Sequence, residues 1–126
     1  MRELKFRAMD SEHIGFVYSD GEDYAFWYGI SDGQLERETI GQYTGLKDKN
    51  GKEIYEGDIL NAPFENGGYR KVIKTKIFIA TVQWSQDHGW IMSTKTDGVY
   101  RWYPEWSDCE VIGNIHENKE LLDGGK

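Results

Sequence analysis

Residues 42–60 read QYTGLKDKNGKEIYEGDIL, and two reversals inside them set the fold. Asn50-Gly51 is the strongest tight-turn signal in the chain, because both residues tolerate positive φ at little cost. It predicts that the Leu46 side folds back against the Ile54 side. Gly57-Asp58 predicts another sharp bend, after which the apolar pair Ile59-Leu60 opens a new strand. Short apolar runs separated by such turns are the pattern of a mainly β protein.

The flanking sequence continues the pattern. Upstream, Leu4, Phe6 and Ala8 alternate with Lys5 and Arg7, which predicts a half-buried opening strand. The aromatic and β-branched runs Ile14–Tyr18 and Tyr24–Tyr28 predict a second and a third strand, with polar turns at Ser19–Asp23 and Ser31–Gly33. Leu35–Ile40 is too short to assign to helix or strand. A boundary near Gly41 divides an N-terminal β subdomain, residues 1–41, from residues 42–126. Downstream, Pro63–Gly68 reads as a loop, and Val72–Trp84 is the longest strand-like stretch. Phe78, Ala80, Val82 and Trp84 form its apolar face, while Ile77 and Ile79 make its middle apolar on both sides, as in strands lying between layers or at a subunit contact. Asp87-His88-Gly89 and Asp97-Gly98 turn the chain into Trp90–Met92 and Val99–Tyr103, and Cys109–Ile115 is a last strand. Asn118 is placed to cap a short C-terminal helix running through Leu122.

Composition bounds the function. The 126 residues suffice for one domain or two small lobes. The single Cys109 excludes an internal disulfide framework and a Cys-cluster zinc site. No apolar run approaches the ~20 residues that span a bilayer, and no signal-peptide core is read at the start, so no membrane partner and a cytoplasmic location are expected. A net charge of −7 argues against general nucleic-acid binding. Within this acidic chain, residues 69–85 hold Arg70, Lys71, Lys74 and Lys76 and no acidic residue. That island reads either as a charged sheet edge that resists association or as a contact for an acidic partner such as phosphate.

Tests for chemistry by spacing fail. A calcium loop starting at Asp48 would need Gly sixth and Glu twelfth, and here Gly51 is fourth and Ile59 twelfth. Gly45–Lys52 has its glycines one residue too far apart for a phosphate loop, with Glu53 where Ser or Thr is required. His13, His88 and His116 lack metal-ligand spacing, and Asp87-His88 with Asn114 and His116 does not fit a His-Asn-His nuclease. Cys109 precedes the apolar pair Val111-Ile112 and has no neighbouring histidine, which suits a packed side chain rather than a nucleophile. Asp48, Glu53, Glu56 and Asp58 are a candidate carboxylate group for a divalent metal, set against solvated turn tips. No cofactor and no metal site is expected. Trp84, Trp90, Trp102 and Trp106 cluster in the second half, where they fit core packing first and then a protein interface or a base-stacking platform.

These residues resemble the YopX family of bacteriophage and prophage proteins. The resemblance is carried by the opening Met1–Asp10 (MRELKFRAMD), by Gln42–Leu60, by Val82-Gln83-Trp84 with Trp90, and by Glu110–Asn118 (EVIGNIHEN). Gly15–Ile40 and Ala62–Ile79 match poorly; Met9 stands where Trp is usual and Lys119 where Pro is frequent. The resemblance implies an SH3-like barrel in the C-terminal half, residues 42–126, and an origin in phage or prophage within a bacterial cytoplasm. It supplies no catalytic residues. The expectation is a non-enzymatic accessory protein that self-associates and binds a host or phage protein, with Trp84, Trp90 and Trp102 as aromatic contacts. The alternative is a nucleic-acid contact through Arg70, Lys71, Lys74 and Lys76 with aromatics nearby.

Overall fold

Alternation in the first residues makes an extended strand, and what covers its two faces organises the rest of the chain. The computed structural model describes residues 4–12, 15–20, 23–67, 72–94 and 105–124. The fold is mainly β, with two antiparallel sheets and one half-barrel. The first sheet contains β1 (Lys5–Met9), β2 (Phe16–Asp20), β3 (Gly41–Lys47) and β4 (Glu53–Tyr55), in the order β2-β1-β3-β4. The second contains β5 (Asp58–Gly67), β6 (Val72–Ser85), β7 (Gly89–Thr94) and β8 (Glu110–Asn114), in the order β7-β6-β5-β8.

Tyr24–Tyr28 is not a strand. It opens a helix, α1 (Tyr24–Asp32), so the first 41 residues hold a helix as well as strands. The aromatic run satisfies strand propensity, but Phe26 and Ile30 recur four residues apart, and the helical period wins. The Asp23 carboxylate accepts the Phe26 amide at 3.2 Å as the N-cap, and Gly33, at φ 87°, ends the helix. Leu35–Ile40 resolves into a buried Leu35 and a single 3-10 turn, Arg37–Thr39. The C-terminal helix, α2 (Glu120–Gly124), forms just after Asn118, whose backbone carbonyl accepts the Leu121 amide at 2.9 Å and whose side-chain oxygen accepts the Asn114 amide at 3.2 Å.

Pro63–Gly68 was expected as a loop, yet β5 runs through Pro63 to Gly67, with Pro63 opposite Ile77. Proline is accommodated because β8 pairs with β5 only from Asp58 to Asn61, so no ladder hydrogen bond is asked of position 63 on that side. On β6, likewise, β7 pairs only from Ala80 to Ser85. Beyond these limits β5 and β6 continue as a two-stranded arm, with no flanking strand among the described residues. The expected strand Val99–Tyr103 lies outside the described residues.

Two apolar clusters form. Ala8, Phe26, Ile30 and Leu35 join α1 to the first sheet. Ile54, Leu60, Ala62, Ala80, Val82, Met92 and Cys109 form the core of the second. Ile54 belongs to a first-sheet strand but is fully buried in the second sheet's core, so the short β4 stitches the layers together.

The Asn50-Gly51 turn forms as expected, with Gly51 at φ 82°. Asp48, at its shoulder, is buried rather than a solvated turn tip. One carboxylate oxygen accepts the amides of Asn50 and Lys52, at 2.8 and 2.9 Å, and the other accepts the Val111 amide of β8 at 2.9 Å. Lys49 donates its amide to the Cys109 carbonyl at 2.9 Å beside it. Burial alone would raise the Asp48 pKa, but the amides of Val111, Lys52 and Asn50, with the charge of Lys52, outweigh it and hold the carboxyl below its ordinary 3.8. A carboxyl depressed in the folded state adds stability that is complete above its unfolded value and is lost as pH falls through the folded one. Asp48→Asn keeps only one accepting oxygen and is expected to lower unfolding free energy at neutral pH by about 1–3 kcal/mol. Denaturant titrations of the two proteins should then converge as pH is lowered from about 4 downwards.

Candidate functional site

The β6–β7 hairpin brings two of the sequence candidates together. Trp84 and Trp90 occupy facing positions in the register, and their rings meet edge to face with centroids 5.0 Å apart. Trp90 packs against the second core, while Trp84 remains 51% exposed. The result is an indole presented to solvent on a packed indole support, a geometry that aromatic pairs favour. Lys74 and Lys76 lie in the arm of β6, at register positions opposite Asn66 and Phe64. Arg70, Lys71 and Trp102 lie outside the described residues.

A group of buried polar side chains lies elsewhere, beside a cleft of about 320 Å³ where the two sheets meet. Alternation on β1 puts Arg7 on the polar face, expected to be wet, but its side chain is buried. The other face of β1, bearing Phe6 and Ala8, packs with α1, and the Arg7 side chain lies at the cleft lined by residues of both sheets. Arg7 donates from Nη2 to Asp58 Oδ1 at 2.7 Å and to the Glu56 carbonyl at 3.3 Å. Its guanidinium lies over the Phe16 ring, 4.1 Å from the centroid, and 4.9 Å from that of Tyr55. Asp58 Oδ2 accepts the Tyr55 amide at 2.8 Å. Burial raises the Asp58 carboxyl above its ordinary value, and the charge of Arg7 with the Tyr55 amide limits the rise. Gly41 is required here, because a Cβ on it would stand 2.7 Å from the Glu56 carbonyl oxygen.

The rim of the cleft is also internally paired. Lys5 forms an ion pair with Glu53, Tyr55 donates its hydroxyl to Glu53 at 3.3 Å, and Asn114 donates its side-chain amide to Glu117 at 2.8 Å. The candidate carboxylates Asp48, Glu53, Glu56 and Asp58 do not converge as a metal-binding group, and the described residues contain no cluster of three or more His, Cys, Asp or Glu side chains with that geometry. Cys109 is buried and donates to the Glu105 carbonyl at 3.5 Å; burial, with Asp108 and Asp48 nearby, pushes its thiol up to about 11. A thiol so placed is a poor nucleophile near neutral pH. His88 is exposed in the β6–β7 turn, where Ser85 Oγ accepts its amide at 3.3 Å. His116 lies edge-on to Phe16 at 5.9 Å, and partial burial of its ring, then the charge of Arg7, hold it below its ordinary value.

The sequence signals for this junction were a lone Arg in an alternating strand and the Glu56-Gly57-Asp58 bend, which nothing in their spacing links. Removing Arg7 alone leaves a buried carboxylate unpaired. Arg7→Met is therefore expected to cost about 3–5 kcal/mol in chemical denaturation. The double substitution Arg7→Met with Asp58→Leu should recover a large part of that loss, and equal losses in the single and double variants would contradict the pairing.

Comparison with known proteins agrees with this architecture. The crystal structure of protein EF1440 from Enterococcus faecalis is similar at a TM-score of 0.54 and 26% sequence identity, over 97% of this chain and 99% of that one. No curated protein matches. The family described as YopX protein matches residues 5–123, from the first residue of β1 into α2. Because that match takes in both sheets and both helices, the chain belongs to the YopX family.

Proposed function

We propose that this protein is a non-enzymatic binding module, an accessory protein of phage or prophage origin that acts in a bacterial cytoplasm. It associates with copies of itself and with a host or phage protein, and residues 42–126 form an SH3-like barrel. The observation that carries this reading is Trp84, a half-exposed indole held against Trp90 beside a tight turn. Tryptophan is strongly enriched among the side chains that dominate binding energy, and a fixed ring loses little entropy on docking. Internal pairing of the polar groups supports the same reading, since Asp48, Asp58 and Cys109 are all engaged within the fold.

Sedimentation velocity at micromolar concentration should show a species larger than the monomer, and Trp84→Ser should weaken that association by about tenfold or more. A monomer throughout that range removes self-association. Turnover against a broad hydrolase panel, abolished by Asp58→Asn or His88→Ala, would overturn the non-enzymatic reading.

One observation favours the nucleic-acid alternative. Lys74 and Lys76 lie on a two-stranded arm that extends past both neighbouring strands, and two-stranded ribbons can enter a groove of nucleic acid. That alternative requires salt-sensitive binding to single strands, lost when Arg70, Lys71, Lys74 and Lys76 are all replaced by Ser.

A further inference from the structure

Helix α1 packs on the first sheet through Phe26 and Ile30, with Trp27 alongside, and it shows a different face to solvent. Tyr24 and Tyr28, four residues apart, stand on one stripe of that face. They are 80% and 57% exposed, and their rings stack with centroids 6.1 Å apart and planes 19° from parallel. Asp32 continues the stripe at the same spacing. It also enters a shallow cleft whose wall includes Ser31, Arg37 and Glu38. Both Asp32 and Glu38 are exposed. Residues 23–40 carry Asp23, Asp32, Glu36 and Glu38 against the single cation Arg37. The stripe therefore presents a stacked, solvent-exposed tyrosine pair followed by carboxylates, in an acidic part of an acidic chain.

We infer that this outer face of α1 is a docking surface for a basic, arginine-bearing segment of another protein. The inference rests on the binding-module reading and adds to it a second face and the chemistry of its partner. A guanidinium stacks on a tyrosine ring and can also donate two parallel hydrogen bonds to a carboxylate, so one arginine satisfies both halves of the surface. An ammonium offers the charge without the plane. Phosphate-bearing partners are disfavoured by the local negative charge. Tyr24 and Tyr28 contribute nothing to the α1 core, so the face can be altered without disturbing the fold.

The probe is a fluorescent Gly-Ser peptide carrying four spaced arginines, titrated by anisotropy at low salt against the full chain. Binding is expected, with Tyr24→Gln plus Tyr28→Gln weakening it about tenfold. The substitutions Asp32→Asn plus Glu38→Gln should weaken it and reduce its salt dependence. The same peptide with citrulline in place of arginine should not bind, and the lysine version should bind more weakly. Equal affinity of the wild type and the tyrosine variant, or no binding of the arginine peptide, overturns the inference. Trp84→Ser is expected to leave peptide binding unchanged. Loss of peptide binding with Trp84-dependent association intact defeats this surface alone. Peptide binding without such association defeats the self-association proposal and leaves this surface standing.

Discussion

A charged pair closed between two sheets is the constraint on which the rest of this structure depends. Arg7 is the third residue of β1, and Asp58 is the first residue of β5, 51 positions along the chain. Bringing two ions out of water is costly, and it is tolerated only when geometry and hydrogen bonds leave little unsatisfied. Here the carboxylate is met by the guanidinium and by the Tyr55 amide, and the cation is enclosed by two aromatic rings and a carbonyl, which leaves Arg7 Nε as its buried nitrogen without a hydrogen-bond partner. Such a pair contributes less to stability than to uniqueness. Any other register of the two sheets would strand both charges. The close approach of Gly41 to Glu56 and the insertion of Ile54 into the second core accompany that docking.

The same logic explains how the turn at Asp48 acts. Its carboxylate faces two amides of its own hairpin and one of β8, so a local reversal doubles as a long-range clasp, 63 residues apart in sequence. Asp48 and Asp58, two of the carboxylates that the sequence offers for chemistry, are therefore engaged in assembly. Among the described residues, the large aromatic side chains left exposed include Trp84 at one hairpin and the stacked Tyr24 and Tyr28 on the helix. These two faces lie on different elements and differ in chemistry, one an indole on a hairpin, the other a tyrosine pair on a helix that ends in a carboxylate.

Much of this was legible from residues alone, and the limits have physical causes. Tight reversals at Asn50-Gly51 and Gly57-Asp58 require positive φ at glycine, a local demand that sequence displays directly. Membership in the YopX family and a mainly β fold likewise followed from quoted stretches. Tyr24–Tyr28 misled because aromatic residues favour strands on average, while the apolar spacing of Phe26 and Ile30 and the Asp23 cap act over a longer window. Pro63 misled because a loop residue and an unflanked strand position look alike until the neighbouring strand's end is known. Arg7, Asp48 and Asp58 looked solvated because a charge is buried only when a distant partner arrives, and no local pattern encodes that arrival.

Pro63 has a further effect on how this molecule behaves in a crowd. Past Asn61 the described part of β5 has a strand on one side only, which is where a foreign extended chain could add itself. Proline has no amide hydrogen to offer, so a templated ladder growing along that flank meets a missing rung. One imino acid thus makes the long arm a poorer template for fibres.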